Sequence, residues 1–205
     1  DSRRILAFEL NNGERVEADA VVSTLPMDRL LAMLEPRLAP EAQPDRFRFR
    51  NLVLVALFIG KERITDAASL YFPGGGTAFT RAYEPRNRCA SMSPPGRTSL
   101  VCEIPCDAAS PVWTLPDDAL AEKVIGPLCK FGWFNRSQIL GYEVRRMPDA
   151  YPVLAAAHRP FCEAAGAALR QFSNLKISGR NGRFSYSWIH DQMRWGREVV
   201  QELVS

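Results

Sequence analysis

The chain has 205 residues, of which 46% are hydrophobic and 24% charged, and its formal net charge is +3 at pH 7. This composition is typical of a soluble globular chain with one large domain or two small ones. It argues against a nucleic-acid-binding protein, because no basic run is interleaved with aromatic residues. The longest apolar run, Leu52–Ile59, is far shorter than the roughly 20 residues of a transmembrane helix. The five cysteines are scattered, which favours a reduced cytoplasmic compartment. The two histidines have no partner at ligand spacing, so no metal site is predicted.

The first elements in chain order are a hairpin, a strand and a helix. Arg3–Leu10 and Arg15–Ala18 alternate on either side of an Asn-Gly pair, which is a strong hairpin signal. Ala20–Pro26 is continuously apolar before its small polar pair and predicts a strand buried on both faces, often in a parallel sheet. Met27–Glu35 predicts a short helix ended by a proline. Because the chain starts at Asp1 inside the hairpin pattern, we expect it to be a fragment of something longer.

The middle of the chain has the pattern of an antiparallel sheet. The alternating arginines of Arg46–Arg50 could bind a phosphate or carboxylate, but an edge strand with one solvated face is favoured. Asn51–Ile59 is the clearest central strand. Glu103 lies among apolar residues and is expected to face solvent. Further strands are predicted at Leu70–Phe72, Ala78–Tyr83, Ser99–Ile104 and Ile139–Arg146.

Two helices and a stiff extended segment follow. Asp117–Phe131 and Pro160–Phe172 have amphipathic or alanine-rich helical patterns. Between them, the prolines of Met147–Val153 hold Tyr151 in an extended conformation.

The chain ends with a strand, a turn and a helix. Leu175–Ser178 predicts a short buried strand, and Gly179–Gly182 a turn rich in glycine and arginine. Such a corner can present backbone N–H groups to an anionic ligand, or it can be an ordinary βα connection. The helix that follows is predicted to bury one face, formed by Met193, Gly196, Val199, Val200, Leu203 and Val204.

Together these elements predict an α+β fold with an α/β remnant. Residues 1–27 and 173–205 have the character of one open sheet. Residues 28–172 are predicted to form an antiparallel-sheet domain with helices, inserted between the two pieces.

Several motifs in this order resemble the C-terminal half of FAD-dependent amine-oxidase-type flavoproteins, a superfamily that includes protoporphyrinogen oxidase, phytoene desaturase and UDP-galactopyranose mutase. The motifs are DAVVSTLP, YEPRN, SPPGRTSLVCEIPC, DAYPV and GRNGRFSYSWIHDQMRWG. The resemblance implies that residues 28–172 bind substrate. It also implies that residues 1–27 and 173–205 are the trailing strands and the closing strand–turn–helix of a Rossmann-like FAD/NAD(P)-binding domain.

The resemblance also implies site residues. Gly179, Arg180 and Asn181 would pass the cofactor phosphates, and the helix beginning at Ile189, His190 and Asp191 would lie under the flavin ring. Asp191 is expected to cap this helix or to bond the cofactor hydroxyls. Aromatic residues stand before the flavin in such relatives, and the matching positions here are Tyr151 and Trp188, with Tyr186 and Phe184 nearby. Arg145 is a candidate anchor for an acidic substrate, and no catalytic residue is predicted.

One departure from the family pattern limits these expectations. The strand–GxGxxG–helix unit that grips the dinucleotide is not present in these 205 residues. The resemblance implies that the intact protein is an FAD-dependent oxidoreductase that passes substrate hydride to flavin. Because this unit is missing, we expect the chain alone to be inactive and to bind FAD weakly or not at all. The alternatives are a flavoenzyme similar to UDP-galactopyranose mutase, acting on a sugar nucleotide, and a non-catalytic α+β binding module. The expected partner is a small-molecule substrate, while peripheral membrane association and oligomeric state stay open.

Overall fold

The computed structural model describes residues 3–38 and 47–204. Its described residues divide into two compact units: unit 1 runs up to Phe49 and resumes at Tyr151, and unit 2 is Arg50–Ala150. The strands are β1 (Ala7–Glu9), β2 (Arg15–Glu17), β3 (Val21–Ser23), β4 (Phe49–Ile59), β5 (Leu70–Tyr71), β6 (Arg81–Tyr83), β7 (Thr98–Cys106), β8 (Ile139–Pro152) and β9 (Leu175–Ile177). The α-helices are α1 (Met27–Met33), α2 (Pro111–Thr114), α3 (Asp117–Lys130), α4 (Arg159–Leu169) and α5 (Ile189–Val204).

Unit 1 contains two small sheets. Strands β1 and β2 pair antiparallel, so the predicted hairpin is confirmed. Strands β3 and β9 pair in parallel, with Val21 opposite Leu175 and Ser23 opposite Ile177. The two segments that the sequence assigned to one open sheet are therefore neighbours, although about 150 residues separate them.

Strand β3 is covered on one face only. Val21 and Ser23 are buried, whereas Val22 between them is 49% exposed. The prediction of a strand buried on both faces is wrong for this chain, because alternate side chains point to opposite faces and the described residues cover only one of them. The covered face belongs to a core built from α1, α4, β9 and nearby aromatic residues: Val21, Met27, Leu30, Leu31, Leu34, Phe47, Ala165, Leu169, Phe172, Leu175 and Phe184.

Unit 2 is a five-stranded sheet in the order β5-β6-β7-β4-β8 with helix α3 packed on it. Strand β4 lies inside the sheet, as predicted, and runs antiparallel to β7 from Asn51 to Ile59. Strand β4 already begins at Phe49, so Phe49 and Arg50 belong to this central strand and not to the edge strand predicted for Arg46–Arg50. Arg46 lies outside the described residues. Alternate side chains of β4 meet one face of α3 in the core, and these include Val53, Val55, Leu57, Leu120, Val124 and Leu128.

Two carboxylates are buried in unit 2. Glu103 is 6% exposed and pairs with Arg81 on the neighbouring strand, so the expectation that it faces solvent is wrong. Glu84 is fully buried and accepts hydrogen bonds from the Thr65 N–H at 2.9 Å and the Thr98 hydroxyl at 2.6 Å, as well as from the N–H of Ile64. Both groups have partners because an unpaired buried carboxylate would be costly.

Helix α5 differs most from its prediction. Of the six residues expected on its buried face, Val199 is the one buried among the described residues. The helix is attached to the neighbouring turn and strand by polar groups instead, through Lys176–Glu202 at 2.9 Å and Arg183–Glu198 at 3.7 Å. Its apolar stripe faces solvent, so the prediction of one buried face is wrong for this chain.

The two units are defined by packing, and their boundaries lie at residues 49/50 and 150/151. The boundaries of the predicted domains lie instead at residues 27/28 and 172/173. The predicted domains assign functions, and they stay predictions. Among residues 3–38 and 47–204, no helix combines the length and apolarity needed to cross a bilayer.

The side chain of Asn174 ties the start of the chain to β9, and this generates a prediction. Its amide oxygen accepts from the Ile5 N–H at 2.9 Å, and its amide nitrogen donates to the carbonyls of Ile5 at 2.8 Å and Asp19 at 3.1 Å. Asn174→Ala leaves these groups without partners and should lower the free energy of unfolding by about 2 kcal/mol. Urea denaturation measures the loss. The matched control Asn12→Ala, in the exposed β1–β2 turn, should cost less than about 1 kcal/mol, and equal losses for the two variants would contradict this interpretation.

Candidate functional site

The candidate site of unit 1 is built on the turn that joins β9 to α5. At its start the Ser178 N–H donates to the Ser23 carbonyl at 2.9 Å, which extends the pairing of β3 with β9. In its centre the Asn181 carbonyl accepts from the Met27 N–H at 3.2 Å, at the first residue of α1. The turn, near the end of the chain, is therefore fixed by the segment from Ser23 to Met27 near its start.

Both glycines of this turn are required by its geometry. Gly179 has φ +79°, a left-handed conformation that favours glycine, and a Cβ there would lie 3.3 Å from the Thr24 Cβ. A Cβ on Gly182 would clash with the Ser178 carbonyl oxygen, which is backbone and has little room to move. The spacing of the two glycines is thus explained by packing within the turn.

Phe184 closes the turn in a strained conformation. Its φ is +45°, which is uncommon for a residue with a Cβ and costs on the order of 1–3 kcal/mol. The buried ring packs edge-on against Phe47 and Phe49, with centroid distances of 4.9 Å and 5.2 Å. These contacts hold Phe184 in place and stabilise the turn. The sequence pattern carries no signal for this backbone conformation.

Arg180 and two tyrosines form a cluster, which we call the Arg180 platform. The rings of Tyr151 and Tyr186 are nearly parallel, at 5°, with centroids 6.1 Å apart. The guanidinium carbon of Arg180 lies 4.8 Å from the centroid of the Tyr151 ring and 4.5 Å from that of Tyr186. Sequence reasoning placed Arg180 beside the cofactor phosphates and paired Tyr151 with Trp188. The structure brings Tyr151 together with Tyr186, and Arg180 with both.

The N-terminus of α5 carries the remaining predicted cofactor residues. Trp188, rather than Asp191, occupies the N-cap position, and its carbonyl accepts from the Gln192 N–H at 3.1 Å. The Asp191 carboxylate accepts from the Trp188 N–H at 3.0 Å and pairs with Arg194 at 2.8 Å. The hydrogen bond from Trp188, aided by the charges of His190 and Arg194, lowers the pKa of Asp191.

The side chains at this helix end are open to solvent. Trp188 is 76% and Ile189 81% exposed, and the His190 side chain is exposed as well. The first N–H groups of a helix have no intrahelical partner and carry partial positive charge. The arrangement can therefore accept a flat, electron-rich group or an anion.

Arg145 lies in unit 2, on β8. Its side chain is 75% exposed and pairs with Glu143. The neighbouring Arg146 instead donates to the Trp113 carbonyl at 3.0 Å and pairs with Asp117 at 2.8 Å, so it serves the packing of unit 2. Of the two arginines, Arg145 is the one whose charge faces solvent.

No three His, Cys, Asp or Glu side chains in residues 3–38 and 47–204 lie close enough together to hold a metal ion. All five cysteines are free thiols, and burial raises the pKa of Cys102 far above its ordinary value.

Comparison with known families decides the assignment. Residues 2–203 match the family described as flavin containing amine oxidoreductase. The chain belongs to this family. The resemblance predicted from its motifs is thereby confirmed, and the mixed fold with an antiparallel sheet is that of flavin amine oxidoreductases.

Solved structures agree with this fold. Reduced UDP-galactopyranose mutase has a TM-score of 0.77 at 21% identity, over 91% of this chain and 42% of that one. A provisional protoporphyrinogen oxidase from Exiguobacterium sp. 255-15 has a TM-score of 0.69 at 15% identity, over 100% of this chain and 46% of that one. Putrescine oxidase bound to putrescine has a TM-score of 0.63 at 14% identity, over 95% of this chain and 44% of that one. The chain thus spans less than half the length of each, and none of the curated proteins matches its sequence significantly.

The two glycine environments in unit 1 generate a matched pair of predictions. Gly182→Ala forces a Cβ against the Ser178 carbonyl and should lower the free energy of unfolding by about 2 kcal/mol or more. Gly196→Ala meets nothing within 4 Å inside α5 and should stabilise by about 0.5–1 kcal/mol. Urea denaturation of both variants tests this. An unchanged unfolding midpoint for Gly182→Ala would show that the turn is looser than described.

The carboxylate of Asp191 generates a pH-dependent prediction. Because its pKa in the folded chain lies below the ordinary value of about 4, it stabilises the fold above that value, and the stabilisation is lost as pH falls through the folded pKa. Asp191→Asn should therefore unfold more easily than the parent at pH 7, and the difference should vanish in acid. Denaturation at several pH values measures this. The control Glu163→Gln removes a solvent-exposed pair on α4 and should change stability little at any pH. A difference between Asp191→Asn and the parent that persists unchanged in acid would contradict the prediction.

Proposed function

We propose that this chain is part of an FAD-dependent oxidoreductase in which substrate hydride passes to the flavin. The family match over residues 2–203 carries the proposal. The chain spans 42% of the mutase structure and 46% of the protoporphyrinogen oxidase, which supports a cofactor site completed by protein outside these residues. In this proposal the 205-residue chain alone is inactive.

The turn and the N-terminus of α5 fit a flavin dinucleotide. Gly179 and Asn181 would approach the phosphates through their backbone, and the N–H groups of Ile189 and His190 would face the electron-rich edge of the ring. Asp191 suits this role because its charge is already balanced by Arg194 and by the Trp188 N–H. When bound, the flavin supplies the group that accepts the hydride.

The chain's own residues would then bind and orient the substrate. The exposed Trp188 would cover the cofactor and exclude water, and Tyr151 would hold the substrate together with Tyr186. The parallel pairing of β3 with β9 supports residues 1–27 and 173–205 as parts of a Rossmann-like domain, since parallel strands are typical of such domains. Residues 28–172 would form the substrate domain, in which Arg145 offers an exposed charge to an acidic group. The five free thiols support a cytoplasmic location.

A second candidate is a mutase acting on a sugar nucleotide. The TM-score of 0.77 with reduced UDP-galactopyranose mutase favours it, together with the arginine at the tyrosine pair. Dithionite-reduced protein that isomerises a UDP-sugar without net electron flow would favour the mutase over the oxidoreductase.

The flavin itself tests the proposal. Protein isolated from its source should show the visible absorbance of a bound flavin, whereas a preparation without it, even after FAD is added, would favour a non-catalytic binding module.

Trp188 provides a sharper prediction in the flavin-bound protein. Trp188→Ala should lower the affinity for FAD by roughly tenfold and increase flavin fluorescence, because a stacked aromatic ring both binds and quenches the flavin. Its free energy of unfolding should change by less than about 0.5 kcal/mol, because the side chain is exposed. Fluorescence titration and urea denaturation measure the two effects. The control Trp195→Ala, beneath Arg183, should lose stability and keep its FAD affinity. Unchanged FAD affinity in Trp188→Ala would remove Trp188 from the cofactor site.

A further inference from the structure

We propose that the Arg180 platform selects substrates by charge: it binds a flat group bearing a carboxylate or phosphate and disfavours a protonated amine. The inference rests on the proposed function in that Tyr151 and Tyr186 are taken to face the substrate. It goes beyond that function because it sets the charge of the substrate group that the tyrosines meet.

The platform is held in place before any ligand arrives. The Arg180 carbonyl accepts from the Ser185 N–H at 3.1 Å, and the Gly179 carbonyl accepts from the Arg183 N–H at 3.0 Å, so the backbone on both sides of the arginine is fixed. The side chain lies against two rings that are themselves nearly parallel. A guanidinium held in this way loses little conformational freedom when it binds a carboxylate or phosphate.

The charge of Arg180 is not neutralised by the surrounding protein. Within residues 3–38 and 47–204, no ion pair at 4 Å or less includes it, and its Nε atom is buried without a hydrogen-bond acceptor. The other arginine of the turn, Arg183, lies over Trp195 and pairs with Glu198. The platform therefore carries the positive charge of a guanidinium.

Charge selection follows from these distances. The guanidinium carbon lies 4.8 Å and 4.5 Å from the two ring centroids, so a ligand group that stacks on the opposite face of either ring lies roughly 9 Å from it. At the dielectric of a solvated protein surface, one unit charge at that distance changes affinity on the order of tenfold. A carboxylate gains this factor, whereas an ammonium group loses it. The platform is therefore suited to an acidic substrate and unsuited to a diamine such as the putrescine bound to putrescine oxidase.

Benzoate and benzylamine test the inference on the 205-residue chain, because they share a ring and differ in charge at pH 7. Binding is followed by NMR from the ring signals of Tyr151 and Tyr186. Benzoate should shift these signals and bind at least tenfold more tightly than benzylamine. Arg180→Gln should lose about tenfold in benzoate affinity and abolish the preference, while Arg180→Lys should keep the preference. The control Arg159→Gln removes a surface charge of the same unit that is paired with Glu163, and should change neither.

Two results would overturn the inference. One is that benzylamine binds the unaltered chain as tightly as benzoate does. This measurement needs no variant, so it remains decisive even if Arg180→Gln fails to fold. The other is a folded Arg180→Gln variant that retains the preference for benzoate. Failure of the proposed function is separate, since it is measured as the absence of flavin from the isolated protein.

Discussion

The candidate site depends on the parallel pairing of β3 with β9. These strands come from opposite ends of the chain, and hydrogen bonds between them continue from the Val21 N–H, which donates to Asn174, to the Ser178 N–H, which donates to Ser23. The turn that begins at Ser178 can then place Asn181 over the first residue of α1. The Met27 N–H and the contacts of Phe184 with Phe47 and Phe49 then hold the rest of the turn. Closing so long a loop is entropically costly, so the contacts that close it must be well satisfied.

Local patterns in the sequence were sufficient for much of the fold. The Asn-Gly hairpin, strand β4 and helix α3 each follow from periodicity or turn chemistry, which act over a few neighbouring residues. The candidate site could be predicted from the sequence only in part. Its turn could be located because glycines mark it, but Phe184 adopts its left-handed conformation only because Phe47 and Phe49, distant in sequence, hold its ring. No local rule predicts such a contact.

The errors on burial have one physical cause. Val22 in β3 and Val200 in α5 are apolar at positions where the sequence pattern requires burial, yet both are exposed. An apolar side chain left in water forgoes about 1.5–3 kcal/mol of burial energy, and a series of them on one helix face is uncommon in a complete domain. The pattern thus records more packing partners than the described residues supply. This agrees with a chain that covers less than half of each solved relative.

The basic side chains of the turn and of helix α5 differ in whether a carboxylate pairs with them. Lys176 and Arg183 pair with carboxylates of α5 and attach the helix to the strand and turn, and Arg194 pairs with Asp191 inside the helix. Because their charges are balanced, they contribute little field beyond their own contacts. Arg180 differs, since aromatic faces rather than carboxylates surround it. Cation–π contact stabilises a guanidinium without cancelling its charge, so the field of this one residue extends to whatever the tyrosines bind. This difference from the paired arginine and lysine side chains is the reason for proposing that Arg180 acts on the ligand rather than on the packing of the turn.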